Sequence, residues 1–498
     1  MKKSVRTPPI SDRWSFLWLA IAAVCLVFIW GKWSVSLAGW LAPVFLLRVM
    51  RTQKVIRGYL LVLLVLVVTT VITWTGITDP VICGFMGFLA SLAFLIDRLL
   101  TPRLKGFMAT LVLPLAMTAL DFFIYNNNPA AGSIGSWAYA QNSNLVLMQL
   151  VSITGIWGVT FLTAWFASIV NWAWERAFSW SEIRRGVAVY GGVLLFILAF
   201  GSLRLALFTP QAGTVRIHSF IVLEQDPEKL LGLWDTDKEA FRRVTLSMVD
   251  PLIEGTIREA RAGAQIVVWP EAAAFGSPED IDALIARGQQ VAQAENIYLA
   301  MGLWILKPDS QEPRLVIVDP SGKIVLNHLK YAYGMGTPVN EVDLQTVDTP
   351  YGRLSGVLCG DLDYTSKINQ AGRKGVDILL VPSFEGHHEQ SPWHVRFAPF
   401  RAVENGFSLV RLTTGGVSIA TDPYGRLLAY MDYFKTNDRV MVVQVPTQRE
   451  STVYAITGDL FGWLAVAGFV VIAVWAIFRG RKAKAQAAAL PETEAPSA

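Results

Sequence analysis

Glu271, Lys330 and Cys359 are the side chains of this chain whose types and placement could do covalent chemistry together. Each ends a strand-like apolar run. Ile266-Val267-Val268-Trp269 passes through Pro270 into Glu271, and Pro270 cannot donate to a ladder, so the next side chain leaves the sheet at its rim. The run 323–329 leads into Lys330, and Leu354-Ser355-Gly356-Val357-Leu358 leads into Cys359-Gly360-Asp361. On such a strand-to-helix turn a thiol is exposed at the sheet's edge, and nearby backbone N–H groups favour thiolate. A carboxylate base, a cation and a thiol are the parts that attack on a carbonyl needs. Each also has a plainer reading: a solvated strand cap, a surface lysine, a buried structural cysteine. Cys25 and Cys83 lie in apolar helical runs, where they are expected to be small fillers. Three cysteines are too few for a disulfide framework, which leaves Cys359 alone in the hydrophilic part.

The elements that must hold these residues fall within about 208–458. Strand-like runs stand at 215–223, 265–269, 298–306, 315–318, 354–358, 378–381, 408–412, 417–421 and 440–445. Helical periodicity covers about 227–261, 278–295, 365–374 and 391–404. Many strands with helices between them predict an α/β layered sandwich of one domain's size. Residues 208–478 carry a net charge of −8, which argues against nucleic acid as a partner. His387, His388 and His394, with Glu385 and Glu389, superficially suggest a metal site, but no HExxH-type spacing is present. A polar substrate-facing loop, or failing that a plain solvated loop, accounts for them better, and no metal or cofactor is expected.

The rest of the chain is built for a bilayer. Only 16% of its residues are charged, against about 25% in soluble proteins. Apolar runs occur around 14–31, 36–50, 58–76, 81–100, 107–125, 149–171, 187–208 and 459–478, about eight spans. Basic residues cluster before the first run and in every second connection: Lys2, Lys3, Arg6 and Arg13; Arg48, Arg51, Lys54 and Arg57; Arg98, Arg103 and Lys105; Arg176, Arg184 and Arg185; then the tail from Arg479. The alternate connections are nearly free of charge. The positive-inside rule then puts both termini in the cytoplasm and the hydrophilic block on the far side of the membrane. The first run reads as an anchor, since no small-residue cleavage site follows Trp30. The expected domains are a seven-helix membrane domain at 1–207, an extracytoplasmic catalytic domain at 208–458, an eighth helix at 459–478 and a basic, disordered tail at 479–498. Arg204, near the outer end of the seventh helix, either snorkels to headgroups or contacts lipid phosphate. The loop 126–148, with Trp137 and Tyr139, either lines a lipid access route or forms an interfacial aromatic belt.

The three chemical residues and their flanks resemble the nitrilase (carbon–nitrogen hydrolase) superfamily, whose Glu–Lys–Cys triads follow this chain order. Val267-Val268-Trp269-Pro270-Glu271 is similar to its glutamate motif, Gly356-Val357-Leu358-Cys359 to its cysteine motif, and Gly375-Val376-Asp377-Ile378-Leu379 to the next strand. With Ser391-Pro392-Trp393-His394, Arg401-Ala402-Val403-Glu404-Asn405-Gly406, Asp422-Pro423-Tyr424-Gly425-Arg426 and the membrane layout, the chain looks like the apolipoprotein N-acyltransferase family within it. Two stretches depart from that pattern. Gly360 and Asp361 stand where the family has an aromatic residue and then a glutamate. The nearest glutamate after Lys330 is Glu341, without the family's Phe-Gly-Glu.

The resemblance implies an αββα sandwich beside a polytopic helical membrane domain in the bacterial cytoplasmic membrane. It implies Glu271 as base, Lys330 as oxyanion cation and Cys359 as nucleophile, with Glu341 and Asp361 in support. Trp393, His394, Phe384 and Arg204 are the candidates for binding substrate. The implied reaction moves an acyl chain from a phospholipid through a cysteine thioester to the N-terminal amine of a diacylglyceryl-modified apolipoprotein. Three alternatives stand beside it: a membrane-tethered amidase, an acyltransferase acting on another envelope amine, and a non-catalytic scaffold.

Overall fold

The computed structural model describes residues 12–29, 33–74, 79–126, 132–207, 213–222, 227–331, 343–385 and 391–488. The chain forms two compact units, one of residues 1–124, 156–198 and 459–498, the other of 125–155 and 199–458.

In the described part of the chain six helices are long and apolar enough to cross a bilayer: Val55–Trp74, Pro80–Arg103, Gly106–Tyr125, Ile156–Trp174, Trp180–Leu207 and Leu460–Lys482. The protein is a multi-pass membrane protein. The first two expected spans are helices of 13 and 17 residues, Ser15–Val27 and Ser36–Thr52, shorter than the ~20 residues that a hydrocarbon core of ~30 Å takes. Leu60, Leu64, Phe196 and Val471 are exposed on the long helices, which suits a lipid surround. Two polar clusters inside the first unit are paired, which offsets the cost of burying them in a low dielectric. Arg51 grips Asp97 through two bonds of 2.8 Å and reaches Glu175 at 3.2 Å, while Thr160 donates to Asp121 at 2.7 Å.

The second unit is built on two sheets. One contains β1 (Thr214–Phe220), β2 (Ile266–Val268), β3 (Ala274–Gly276), β4 (Tyr298–Lys307), β5 (Ser310–Val318), β6 (Ile324–Leu329) and β13 (Val440–Pro446), in the order β13-β1-β2-β4-β5-β6 with β3 beside β4. The other contains β7 (Thr346–Thr349), β8 (Gly352–Gly356), β9 (Ile378–Phe384), β10 (Ser408–Thr414), β11 (Val417–Thr421) and β12 (Leu427–Asp432), in the order β12-β11-β10-β9-β8-β7. β1, β2 and β4 run parallel, as do β8, β9 and β10.

Strand alternation explains the layering. Ile266 and Val268 of β2 share one core with Leu354, Ile378, Leu380 and Val410 of the other sheet. Val267 of β2, with Trp269 just beyond it, faces the helices Val249–Arg261 and Pro278–Glu295, meeting Leu252, Ile281 and Leu284. On the far side Leu379, Val381 and Leu409 pack on Ile368 and Ala402, from the helices Thr365–Arg373 and Ala398–Asn405. The result is an αββα sandwich, as expected.

Several expected boundaries shift. The run 227–261 is three helices, because Asp237 caps a new one by accepting from Ala240 N–H at 2.9 Å and Met248 ends it. The apolar run 149–171 is broken at Gly155, whose φ of +61° no other residue adopts cheaply and beside which the Tyr454 ring packs. Hydropathy does not register such a break. Trp137 and Tyr139 are buried within the second unit, so they form neither an interfacial belt nor the wall of an open route.

Candidate active site

Glu271, Lys330 and Cys359 each follow a strand, β2, β6 and β8 respectively, and the fold brings the three together. Lys330 Nζ donates to Glu271 Oε1 at 2.6 Å, with Glu271 only 1% exposed. The Cys359 thiol lies close enough that the charges of both Glu271 and Lys330 act on it. The Cys359 sulfur, 7% exposed, also lies 3.3 Å from the Phe384 carbonyl oxygen.

Backbone strain fixes these placements. Cys359 has φ +40°, and Ala272, next to Glu271, has φ +60°. Left-handed backbone at such residues costs about 1–3 kcal/mol and persists only where the surroundings over-determine it. Two hydrogen bonds bracket the Glu271 turn, Trp269 N–H to Ala300 O at 2.8 Å and Ala273 N–H to Gly302 O at 3.1 Å. Gly302 of β4 passes so close that a Cβ there would stand 2.1 Å from the Pro270 carbonyl oxygen. After Cys359 the chain enters a short 3₁₀ turn, Cys359–Asp363.

The charges are set by burial and by one another. Burial pushes the Glu271 carboxyl above the usual carboxylate range, against the pull of Lys330. Burial opposes the charge on Lys330, but Glu271, Cys359 and Asp361 together hold it protonated above the ordinary lysine range. Burial, with the charges of Glu271 and Glu385, pushes the Cys359 thiol up to about 12 against Lys330 and Arg411. At rest the thiol is therefore neutral, beside the Lys330–Glu271 contact.

Asp361 ties two of these segments together. It accepts from Tyr331 N–H at 2.8 Å, next to Lys330, and from Leu358 N–H at 3.0 Å, next to Cys359, and it pairs with His328 Nε2 at 2.7 Å. A second buried cluster touches the sulfur. Arg411 Nη2 lies 4.0 Å from Cys359 Sγ and bonds Glu385. Glu385 Oε1 also meets His394 Nδ1 at 2.6 Å, and His394 Nε2 reaches Asp363 at 3.0 Å. Asp363 is covered in turn by Ser133, whose N–H and hydroxyl donate to its carbonyl at 2.9 and 2.7 Å. Ser133 shares a 2.6 Å bond with Tyr139, which takes a bond from the buried Arg401.

The sulfur, Glu385 and His394 offer ligand atoms within 4.8 Å of one another, as a metal site would. The donor set fits a metal poorly. The Arg411 guanidinium already supplies positive charge there, 3.3 Å from His394 Nδ1. Despite burial, Glu385 and Asp363 hold the imidazole protonated up to about 9, whereas a metal needs it neutral.

Residues 229–454 match the family model described as carbon–nitrogen hydrolase. The second unit carries a carbon–nitrogen hydrolase domain. Over 439 residues the chain is 23% identical to the apolipoprotein N-acyltransferase of Geobacter metallireducens, covering 81% of this chain and 80% of the relative. The enzyme of that name from Azotobacter vinelandii is 25% identical over 392 residues, 70% of each chain. An amidase structure from Nesterenkonia sp. aligns with 48% of this chain and 92% of its own, at 22% identity and a TM-score of 0.39. Over most of its length the chain is thus similar to apolipoprotein N-acyltransferases.

Of the other expected site residues, Phe384 and His394 border the sulfur in the hydrolase domain through the contacts above. Trp393 is buried beside them, its ring 5.6 Å from that of His394. Arg204 is elsewhere. It lines a separate cavity of about 490 Å³ with Tyr424 and Glu450, lies 5.1 Å over the Tyr424 ring and donates to Gln149 at 3.2 Å. Glu341, His387, His388 and Glu389 lie outside the described residues. Sequence reasoning passed over Arg411 and Asp363. An arginine inside the strand run Ser408-Leu409-Val410-Arg411-Leu412 was the available signal, because an arginine is fully buried only when it is paired.

Proposed function

We propose that this protein transfers a fatty acyl chain from a phospholipid to the N-terminal amine of a diacylglyceryl-cysteine lipoprotein, through a thioester on Cys359. The observation that carries the reading is the buried Lys330–Glu271 pair beside the Cys359 thiol, in a chain similar to apolipoprotein N-acyltransferases over four-fifths of its length. Glu271, made more basic by burial, takes the thiol proton. The sulfur attacks the ester carbonyl, and Lys330 stabilises the oxyanion; one such donor is typically worth about 10²–10³ in rate. As the C–O bond breaks, the leaving lysophospholipid oxygen takes the proton from Glu271 and the thioester remains. The acceptor amine then attacks, its proton passes through Glu271 to the departing sulfur, and an amide forms while the C–S bond breaks. Two lipidic substrates using one site in turn should give ping-pong kinetics. Water is the competing nucleophile, and a buried sulfur limits its access.

The alternating basic connections support a catalytic unit on the extracytoplasmic side of the cytoplasmic membrane, with both termini cytoplasmic. The test is incubation with phospholipid labelled in its acyl chain. Wild-type protein should retain label on Cys359 and pass it to a diacylglyceryl lipopeptide, and Cys359→Ala should do neither. Equal labelling of the two proteins would refute the mechanism, and release of free fatty acid instead of acylated peptide would favour a hydrolase.

A further inference from the structure

Arg411 has no part in the Glu–Lys–Cys scheme, yet its guanidinium lies 4.0 Å from the reacting sulfur and is 1% exposed. We propose that Arg411 is a second cation for the Cys359 thiolate, holding the negative sulfur once Glu271 has taken its proton. This rests on Cys359 being the nucleophile.

Three features support the role. The first is how the charge is shared. Glu385 Oε1 is divided between Arg411 and His394, and Arg411 Nη1 is buried with no hydrogen-bond partner. The guanidinium is therefore not used up by its carboxylate. The second is anchoring. Asp363 holds the other nitrogen of His394, and Ser133 holds the Asp363 backbone, so Glu385 and Arg411 are fixed from behind. Arg411 itself comes from β10, in register with Val381 of β9, three residues before Phe384, whose carbonyl oxygen touches the sulfur.

The third is charge balance. The charged groups that act most strongly on the thiol are Glu271, Glu385, Lys330 and Arg411, with the Asp361 carboxylate one turn away. With Glu271 ionised, two carboxylates offset two cations and the thiol keeps its proton. When that proton moves to Glu271, Lys330 and Arg411 face one carboxylate fewer near the sulfur, with protonated His394 shared between Glu385 and Asp363, so the field at the sulfur becomes more positive. Without Arg411 that field is weaker by one positive charge, and the thiolate loses part of its stabilisation.

The test reads the thiol directly and needs no acyl donor. Full-length protein in detergent is treated with iodoacetamide between pH 7 and 10, and alkylation of the Cys359 peptide is followed by mass spectrometry. Raising a thiol pKa by one unit cuts the thiolate tenfold and returns only part of that as nucleophilicity. Arg411→Met should therefore react about three- to fivefold more slowly at each pH, with Arg411→Lys close to wild type. Glu385→Gln removes a negative charge while keeping the shape, so it should react faster. Opposite signs are the signature, since a merely structural cluster would slow both or change neither. Slowing in both variants, or wild-type rates in both, overturns the proposal. Glu385→Gln decides alone if Arg411→Met does not fold. If alkylation follows these signs but labelled phospholipid leaves no adduct, the acyl-transfer reading fails and the role of Arg411 stands.

Discussion

In the proposed reaction Lys330 serves two purposes at once, as counter-charge for Glu271 and as the donor aimed at a developing oxyanion. Replacing it with methionine keeps the volume and removes both. Lys330→Met should lower kcat by about 10²–10³ while leaving any acyl adduct, formed slowly, on Cys359; single-turnover labelling checks this. His394 offers a pH signature. Its raised value of about 9, against an ordinary 6.5, means that its contribution to stability is complete below pH 6.5 and is lost as pH climbs through 9. Glu385 works in the other direction. His394 and Arg411 outweigh burial and hold it down to about 2, so its contribution is present above about 4.5 and is lost as pH falls through 2. The melting temperature should therefore decline from pH 6.5 to 9, and His394→Gln should flatten that decline. An unchanged slope in the variant would show that His394 is not the titrating group.

At the scale of elements, the strand ends explain what could be read from sequence. Glu271, Lys330 and Cys359 were legible because each apolar run stops abruptly at a residue able to do chemistry. The sandwich was legible because Ile266, Val267 and Val268 alternate between two cores. The helix-to-helix break at Gly155 was hidden, since apolar composition continues across it while the backbone turns. Arg411 was hidden because its partners, Glu385, His394 and Cys359, come from three other elements and meet only in the fold. Gly302 shows the same dependence on tertiary structure. Nothing in Met301-Gly302-Leu303 says that Pro270 O would lie against it. Gly302→Ala should push the Glu271 turn outward, costing about 1–3 kcal/mol of stability and most of the activity. A denaturation midpoint with an activity assay checks both, and full activity would show that the turn relaxes freely.

For the whole molecule, the alternation of basic connections makes a topological prediction. In spheroplasts, a membrane-impermeant maleimide should label Asp309→Cys, in an exposed turn of the second unit, from outside. Ser181→Cys, between Arg176 and Arg184, should be labelled only after permeabilisation. The reverse pattern would invert the orientation.

The packing of Ser133 and Tyr139 limits how this enzyme can be divided. A gene trimmed to the water-loving stretch after Leu207 would lose the residues that seat Asp363 and shield Arg401. Its product would keep every reactive group and still present them on a loosened bed. Any soluble version would have to bring the segment between two membrane helices along with it. That segment, flanked in the chain by membrane helices, is thus itself part of the tool and is inherited with it.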